Sequence, residues 1–251
     1  MKVVGVIPAR YGSTRLPGKA LKDICGHPML WWVYQRVSTI KQLDEIYVAT
    51  DDMRIETFCV ENGIPVIMTS TEHRTAANRL QEVSEGIEAD FYIQLNGDEP
   101  LISKEAIVAA IPDYIPTDRE FGTNIITEIE ESVQLMDPSN IKVVFDKNMD
   151  ARYMSRFPIP YPFKSLSFNY YKHVGVIGYN KKMLDFYKKS TPGKYEQIEG
   201  IDTLRFLDYG KELKLTIVPH CHSLSVDTEQ DLAVITEKIK RNKIDFRDGK
   251  K

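Results

Sequence analysis

A short loop near the amino terminus concentrates positive charge and hydroxyl groups. Residues 8–19 read Pro-Ala-Arg-Tyr-Gly-Ser-Thr-Arg-Leu-Pro-Gly-Lys. The cations and hydroxyls among them are Arg10, Arg15, Lys19, Ser13 and Thr14. Such groups bind phosphate oxygens through charge-assisted hydrogen bonds, and the glycines let backbone N–H groups approach as well. The spacing matches neither a P-loop nor a G-x-G-x-x-G loop. The loop therefore predicts a triphosphate-binding site, and a solvated surface turn is the alternative.

Two aspartates could hold a metal ion beside such a triphosphate. Asp98 follows the apolar run 92–95, and Asp227 precedes the last predicted helix. Mg²⁺ commonly takes one or two carboxylates and completes its octahedral coordination with phosphate and water oxygens. The alternatives are a turn residue for Asp98 and a helix cap for Asp227, because aspartate is favoured in both positions. Together with the cationic loop, the pair predicts a Mg²⁺ site.

The elements that must position these residues alternate between strands and helices. Residues 3–7 form a continuous, mostly β-branched apolar run, which is typical of a strand buried on both faces. A helix is predicted after Pro28. Further strands are predicted at 45–50, 65–69 and 91–95, and further helices at 53–61, 76–86 and 103 to about 114. This alternation indicates an α/β, Rossmann-like, mostly parallel sheet with helices on both faces. Ligands bind such sheets beyond the carboxyl ends of the strands, where the cationic loop and Asp98 lie.

The alternation is interrupted beyond Pro116. Extended segments are predicted at 123–129, 141–146 and 173–179, and residues 152–171 are rich in aromatic residues and proline. The α/β pattern then returns, with a helix predicted at about 200–209, a strand at 213–218 and a helix at about 229–240. The charged tail at 247–251 is expected to fray. Because no linker separates the two halves, residues 1–251 are interpreted as a single domain. Residues 150–180, approximately, are interpreted as an insertion or lid within it.

Composition excludes several classes of protein. A chain of 251 residues with 42% hydrophobic content can bury a sizeable core, and a net charge of -3 argues against nucleic acid or a membrane surface as a partner. Cys25, Cys59 and Cys221 have no disulfide-framework or zinc-site spacing, which fits a reducing cytoplasm. The apolar amino-terminal run is too short for a signal sequence, and no stretch approaches a membrane span. The sequence thus predicts a cytoplasmic protein.

Several motifs, in order, closely resemble the 3-deoxy-manno-octulosonate cytidylyltransferase (CMP-Kdo synthetase) family. The motifs are 7–19, Ala-Thr-Asp at 49–51, Gly-Asp-Glu-Pro at 97–100, His-Val-Gly at 173–175 and Val-Asp-Thr at 226–228. The resemblance implies a nucleotide-diphospho-sugar transferase fold. It implies that CTP and a 2-keto sugar acid give a CMP-sugar and pyrophosphate in bacterial surface-polysaccharide (lipopolysaccharide) biosynthesis. It also implies a homodimer whose interface is supplied partly by the irregular region near 150–180.

The resemblance also implies roles for particular residues. Those with catalytic roles would be Arg10, Arg15, Lys19, Asp98 and Asp227, the last two holding Mg²⁺. Those binding the nucleotide would be Pro8, Ala9, Arg10, Ser13, Arg15, Lys19, Thr75, Arg79, Asn96 and Asp98. Those lining the sugar-acid pocket would be Arg156, His173, Glu199 and Arg205. A guanidinium fork suits a substrate carboxylate. For His173, which lies in an apolar strand, a structural role is the alternative.

The sequence departs from the family pattern near the nucleotide base and the acceptor. Where the family has Asp-His-x-Ser-Gly-Thr-Asp/Glu-Arg, residues 72–79 read Glu-His-Arg-Thr-Ala-Ala-Asn-Arg. Ala76 adds a Cβ where backbone would approach the base, and Ala77 lacks the family's hydroxyl. Asn96 replaces a glutamine, and Asp-Thr-Leu-Arg at 202–205 replaces Glu-Gln-Leu-Arg. The phosphate loop and metal carboxylates are kept, so the reaction is expected to be kept while specificity changes.

Three functional hypotheses follow. The first is a cytidylyltransferase for 3-deoxy-manno-octulosonate or a related acid, in which a substrate oxygen attacks the α-phosphorus in line with departing pyrophosphate. The second is a nucleotidyltransferase acting on another acceptor: an amino-sugar acid, another sugar acid, a phosphate or a phosphonate. The third is a non-catalytic nucleotide-binding homologue. Retention of both aspartates and the loop cations favours an enzyme.

Overall fold

The computed structural model describes residues 1–13, 15–221, 224–242 and 244. The Thr14 hydroxyl that was expected to face a triphosphate and the tail 247–251 that was expected to fray lie outside these residues. Among the described residues, the strands are β1 (Val3–Pro8), β2 (Asp23–Ile24), β3 (His27–Pro28), β4 (Glu45–Thr50), β5 (Val66–Met68), β6 (Phe91–Leu95), β7 (Phe121–Glu128), β8 (Lys142–Phe145), β9 (Ala151–Ser155), β10 (Tyr171–Asn180) and β11 (Glu212–Ile217). The helices are α1 (Met29–Val37), α2 (Met53–Glu61), α3 (Ala76–Gly86), α4 (Lys104–Ala109), α5 (Ser132–Met136), α6 (Lys181–Lys189), α7 (Lys194–Glu199), α8 (Leu204–Asp208) and α9 (Glu229–Arg241), with a 3₁₀ turn at Lys19–Leu21.

The main sheet has the strand order β11-β7-β10-β6-β1-β4-β5. The pairs β1–β4, β1–β6, β4–β5 and β7–β11 are parallel, whereas β10 is antiparallel to both β6 and β7. The hairpin of β8 and β9 attaches to the start of β10. The predicted α/β fold with a mostly parallel sheet is confirmed.

The direction of β10 follows from the path of the chain. Tyr171, the first residue of β10, pairs with Glu128, the last residue of β7. After β7 the chain therefore stays at the carboxyl edge, forms the β8–β9 hairpin and re-enters the sheet from that same edge. A strand that re-enters in this way must run antiparallel to β7. Of the region near 150–180, β9 and β10 belong to the sheet, and residues 156–170 lie outside the strands.

Side chains of β1 are buried on both faces of the sheet. Val3 and Ile7 belong to the hydrophobic cluster that includes α1 and α2 residues, whereas Val4 and Val6 belong to the cluster that includes α3 and α6 residues. This alternation is the two-residue period of a strand. The helices therefore cover both faces and hold the end of β1, where the cationic loop begins, in a fixed position.

A third cluster anchors the cationic loop itself. Leu16, at the middle of the loop, is fully buried with Trp31 and Trp32 of α1 and with Ile235 and Ile239 of α9. Both tryptophans are buried. The carboxyl-terminal helix thus packs directly beneath the loop.

The secondary structure differs from the expectation at several points. The helix predicted from 103 to about 114 ends at Ala109, because Pro112 lacks an N–H donor and disfavours helical backbone at the preceding residue. Strands β2, β3 and β9 and helices α5, α6 and α7 were not predicted. Asn180, the last residue of β10, is the N-cap of α6, and its side chain accepts the Met183 N–H. The apolar run of β10 gave no sign of this cap. Within the described part of the chain, no helix is long and apolar enough to cross a membrane.

Candidate active site

A cleft of about 530 Å³ opens where β1 and β6 end. The residues that line it are Pro8, Ala9, Arg10, Gly12, Ser13, Arg15, Lys19, Ala20, Met29, His73, Arg74, Thr75, Ala76, Arg79, Asn96, Gly97, Asp98 and Asp227. Apart from Thr14, which lies outside the described residues, all residues predicted to bind nucleotide or metal are among them. The position beyond the carboxyl ends of parallel strands is the one expected for this class of sheet.

The conformation of the cationic loop depends on Gly18. This residue has a φ of 67°, and a Cβ built on it would lie 3.0 Å from the Tyr11 ring. Its N–H donates to the Tyr11 carbonyl at 3.1 Å, and the Ser13 hydroxyl accepts the Leu16 N–H at 3.3 Å. Left-handed backbone in contact with a ring favours glycine strongly. Gly18 therefore sets the backbone at the end of the loop, and Lys19 begins the turn that follows it.

The loop cations meet both predicted metal carboxylates. Lys19 Nζ lies 2.5 Å from Asp98 Oδ2 and 3.0 Å from Asp227 Oδ1. Arg15 Nη2 lies 3.0 Å from Asp227 Oδ2. Burial alone would lower the pKa of Lys19, but the two carboxylates outweigh burial and raise that pKa above its ordinary value. Lys19 is therefore a permanent cation held between two carboxylates.

The two aspartates are fixed by the backbone around them. Val226 N donates to the Asp98 carbonyl at 2.9 Å, which ties the two loops together. Asp231 Oδ2 accepts the N–H groups of Asp227 and Thr228 at 3.1 and 2.9 Å, and the Thr228 hydroxyl at 2.8 Å. Burial would raise the pKa of Asp231, but these hydrogen bonds lower it overall. A helix capping box therefore sets the backbone that carries Asp227.

The chemistry of the carboxylate pair can be compared with the coordination that magnesium requires. Within the described ranges, no group of three or more His, Cys, Asp or Glu side chains could hold a metal ion. A site with two carboxylates that share one cation suits a metal that completes its coordination with phosphate and water oxygens. Asp98 and Asp227 thus fit Mg²⁺ bound together with a nucleotide.

The wall of the cleft opposite the loop is the start of α3. The Thr75 hydroxyl donates its single proton to Asn78 Oδ1 at 2.8 Å and accepts the Asn78 N–H at 3.2 Å. Tyr187 Oη lies 3.1 Å from the same hydroxyl, so the tyrosine must be the donor there. Arg79 donates to Asp51 Oδ2 at 2.8 Å and is nearly fully buried. These polar groups hold α3 against the end of β4.

Asn96 is supported from behind by a glycine of β10. Its Nδ2 donates to Glu99 Oε1 at 2.9 Å. A Cβ on Gly175 would lie 1.9 Å from Asn96 Nδ2 and 2.7 Å from Glu99 Oε1. The backbone of β10 therefore approaches so closely that a side chain at position 175 would displace the ends of Asn96 and Glu99, and Asn96 is one of the residues that line the cleft.

Arg156 and Glu199, which the resemblance assigned to the sugar-acid pocket, contact each other. The Arg156 guanidinium donates to the carbonyls of Glu199, Pro138 and Gly200 at 2.7, 2.9 and 3.1 Å. The Glu199 carboxylate accepts the Ser155 hydroxyl at 2.7 Å and the Arg156 N–H at 3.0 Å. Together they join the end of β9 to α7.

Arg205 forms a buried ion pair. Its Nε and Nη2 lie 2.7 and 2.6 Å from the two carboxylate oxygens of Glu196, and its guanidinium lies 3.9 Å from the centre of the Tyr187 ring. Bidentate pairing and ring stacking are the interactions that favour arginine over lysine. Arg205 thus touches Tyr187, which in turn donates to Thr75 in the cleft wall.

His173 is neutral, and its protonated nitrogen can be assigned from its neighbour. Asn124 Nδ2 donates to the carbonyls of Val174 and Val176, both at 2.9 Å, so Asn124 Oδ1 is an acceptor. His173 Nδ1 lies 2.8 Å from that oxygen and must carry the proton. Burial lowers the pKa of His173 to about 4. Its Nε2 is therefore a hydrogen-bond acceptor.

Comparison with known proteins agrees with this geometry. The sequence profile of the cytidylyltransferase family matches residues 4–213. The chain belongs to the cytidylyltransferase family. It is similar to a 3-deoxy-manno-octulosonate cytidylyltransferase of Fusobacterium nucleatum subsp. nucleatum, with 40% identity over 246 residues that cover 97% of this chain and 99% of the relative. It is also similar to an 8-amino-3,8-dideoxy-manno-octulosonate cytidylyltransferase of Shewanella halifaxensis, with 36% identity over 244 residues that cover 95% and 99%.

A solved structure extends the comparison to three dimensions. A CMP:2-keto-3-deoxy-manno-octonic acid synthetase complexed with CTP superposes on this cytidylyltransferase with a TM-score of 0.89 at 36% identity. The match covers 96% of this chain and 100% of the other. The resemblance predicted from the motifs is confirmed over nearly the whole chain.

The predicted residues of this cytidylyltransferase fall into two groups. The cationic loop, Thr75, Arg79, Asn96 and the two predicted metal carboxylates converge on one cleft. Arg156, His173, Glu199 and Arg205 are not among the residues that line it, and their roles at the acceptor stay predictions. The structure thus separates the cleft from these four residues, whose polar groups are largely engaged with the protein.

Sequence reasoning missed several supporting residues of the cytidylyltransferase cleft. Asp231 could have been found, because Thr-x-x-Asp at 228–231 has the spacing of a capping box. Tyr187 had no such signal, since it lies 112 positions from Thr75 in the chain. Glu196 likewise became recognisable as the partner of Arg205 once α7 and α8 were packed together.

Proposed function

We propose that this cytidylyltransferase transfers CMP from CTP to an oxygen of a 2-keto sugar acid of the 3-deoxy-manno-octulosonate type, for bacterial surface-polysaccharide biosynthesis. A bond forms between that oxygen and the α-phosphorus, and the bond from the α-phosphorus to pyrophosphate breaks. The observation that carries the proposal is Lys19 held between Asp98 and Asp227 in a cleft that also contains Arg10 and Arg15. The relatives that match almost end to end are named for this reaction.

The chemistry is proposed to be mainly positioning and charge neutralisation. Asp98 and Asp227 would hold Mg²⁺, which polarises phosphoryl oxygens when it is bound. Arg10, Arg15 and Lys19 would neutralise the charge that collects on departing pyrophosphate. All three cations line the same cleft.

The acceptor is proposed to meet His173 as a hydroxyl rather than as a carboxylate. The unprotonated Nε2 of His173 can accept a hydrogen bond but cannot supply positive charge near neutral pH.

An amino-sugar acid is the second candidate for the acceptor. Relatives named for an 8-amino-3,8-dideoxy acid match with 36–38% identity, close to the 40% of the relative named for the hydroxyl form.

The test measures pyrophosphate release with each of the four nucleoside triphosphates against a panel of acceptors. The panel contains 3-deoxy-manno-octulosonate, its 8-amino-8-deoxy form, another sugar acid, and a phosphate and a phosphonate. We expect release with CTP and the first acid, loss of release with EDTA, and loss in Asp98→Asn. Faster pyrophosphate release with the 8-amino-8-deoxy form would select the second candidate. Absence of release with every pair, or full activity of Asp98→Asn, would refute the proposal.

We propose a homodimer that uses the segment 156–170. Phe157, Tyr161, Phe163 and Leu166 are 69, 80, 83 and 83% exposed. Monomeric proteins rarely leave so many large apolar side chains exposed close together. Light scattering after size exclusion should give a dimer, and Phe163→Ser with Leu166→Ser should give a monomer. Tyr114→Ser, which changes an aromatic residue 72% exposed elsewhere, is the matched control. A wild-type monomer would refute this part.

We also propose that the enzyme works in the cytoplasm. Cys25 and Cys59 carry free thiols, which suits a reducing compartment. The check is to fractionate cells that produce the enzyme with a tag that does not depend on redox conditions. Recovery of the enzyme from an oxidising compartment would contradict the proposal.

A further inference from the structure

The ammonium group of Lys19 lies where a cation bound by Asp98 and Asp227 would have to lie. It is within hydrogen-bonding distance of one oxygen of each carboxylate, at 2.5 and 3.0 Å. The lysine side chain is 17% exposed, against 24 and 30% for the two aspartates. The lysine is therefore the most buried member of the cluster and stands between its partners.

The charges of this cluster balance. Two carboxylates face two cations, since Arg15 holds the second oxygen of Asp227 at 3.0 Å. A divalent ion that approached Asp98 and Asp227 would find both carboxylates already paired with cations in direct contact, and the ammonium would repel it at close range. While the Lys19 side chain is in this position, the cluster is a poor site for a metal ion that arrives without a nucleotide.

A nucleotide can remove this obstacle without moving the backbone. The loop is anchored by buried Leu16 and by the left-handed Gly18, whereas the Lys19 ammonium is carried on a flexible four-carbon stem. A triphosphate in the cleft offers the ammonium an alternative anion. Rotation of this one side chain would leave both carboxylates without their shared cation and able to accept a metal.

We propose that Lys19 is an internal counter-ion that excludes divalent cations from Asp98 and Asp227 until a triphosphate draws its ammonium away, so that metal enters with the nucleotide. This proposal rests on the proposed function, because it takes these aspartates as the metal carboxylates. It gives Lys19 a role before the reaction, in addition to phosphate binding, and it sets the order in which metal and nucleotide bind.

The experiment measures binding of Mn²⁺ alone, without nucleotide, by the loss of the free-ion electron paramagnetic resonance signal. Wild type is expected to bind weakly. Lys19→Met and Lys19→Gln are each expected to bind at least about tenfold more tightly, because one unit of positive charge is removed at contact distance. Lys22→Met is the matched control: Lys22 lies three residues away and pairs with exposed Glu229, so its loss should leave Mn²⁺ binding unchanged.

Further measurements place the effect at the aspartates and exclude trivial causes. Adding Asp98→Asn to Lys19→Met should abolish the gain. Because CTP itself binds Mn²⁺, the signal lost with CTP alone is subtracted; the remaining Mn²⁺ binding should increase strongly on addition of CTP in wild type and far less in the lysine variants. Circular dichroism checks that each variant is folded, and Lys19→Gln carries the test if Lys19→Met is not.

Two results would overturn the proposal. One is wild-type Mn²⁺ affinity in both folded lysine variants, and the other is tight Mn²⁺ binding by wild type without nucleotide. These failures are distinct from failure of the proposed function. Turnover of CTP with a sugar acid but no gain in the lysine variants would leave the function intact and refute this inference. A gain in Mn²⁺ affinity in the lysine variants, without turnover on any acceptor, would support this inference and refute the proposed function.

Discussion

Replacing Arg205 with alanine distinguishes a structural ion pair from a substrate-binding arginine. In the folded protein the guanidinium makes two bonds of 2.6 and 2.7 Å to Glu196 and stacks on Tyr187 at 3.9 Å. Arg205→Ala removes both interactions. Glu196 keeps a hydrogen bond from the Gly193 N–H at 3.0 Å but loses its counter-charge.

The expected loss is large because both partners are buried. Arg205 and Glu196 are 5 and 8% exposed. Removing one partner of a buried pair costs about 3–5 kcal/mol of unfolding free energy, since the other charge is left uncompensated. Replacing both partners with apolar residues of similar size is often close to neutral. The double variant Arg205→Met, Glu196→Met is therefore expected to be much more stable than Arg205→Ala.

The assay is urea unfolding at one fixed protein concentration, followed by circular dichroism and by the fluorescence of Trp31 and Trp32. The same variants are assayed for the KM of the sugar acid. If Arg205 acts within the fold, Arg205→Ala loses about 3–5 kcal/mol and the double variant recovers most of it. A loss below about 1 kcal/mol, together with a KM raised in both variants, would refute this reasoning and favour direct substrate contact.

Three further predictions concern the cleft and its supports. Burial lowers the pKa of His173 to about 4 from 6.5, so its contribution to stability is complete above pH 6.5 and is lost as the pH falls towards 4. Between pH 6.5 and 4, the free energy of unfolding of wild type should fall by up to roughly 3 kcal/mol more than that of His173→Gln, as measured by urea unfolding. Gly175→Ala should lower kcat/KM about a hundredfold by displacing Asn96, which a Cβ would approach to 1.9 Å. Tyr187→Phe should raise the KM for CTP roughly 2- to 10-fold with little change in melting temperature, because Thr75 loses one donor.

Each of these has a result that would contradict it. Equal pH dependence of wild type and His173→Gln would show that the histidine is not held neutral. Unchanged kinetics in a folded Gly175→Ala variant would show that β10 does not position Asn96. For Tyr187→Phe, Tyr179→Phe is the control, since its hydroxyl contacts Gln94 instead. Equal effects of the two changes on the KM would remove the role assigned to Tyr187.

The order of most elements in the amino-terminal half was predictable from local pattern. The apolar run of β1, the helical spacing after Pro28 and the repeated alternation up to α4 all reflect how each segment buries its own side chains. The direction of β10 was not predictable in that way. It depends on the edge of the sheet at which the chain lies after β7 and the β8–β9 hairpin. The spacing of apolar residues within a single segment does not encode that position.

The cleft shows the same division. The sequence by itself determined which charged groups follow β1 and β6, because a loop after a buried strand must emerge at the carboxyl edge of the sheet. Only the tertiary structure decided what those groups contact. Lys19 meets Asp227 across 208 positions of the chain, and Arg156 and Arg205 are engaged by carbonyls and a carboxylate of neighbouring elements. The physical reason is that local burial is written into the spacing of apolar residues, whereas the pairing of buried charges depends on which segments pack together.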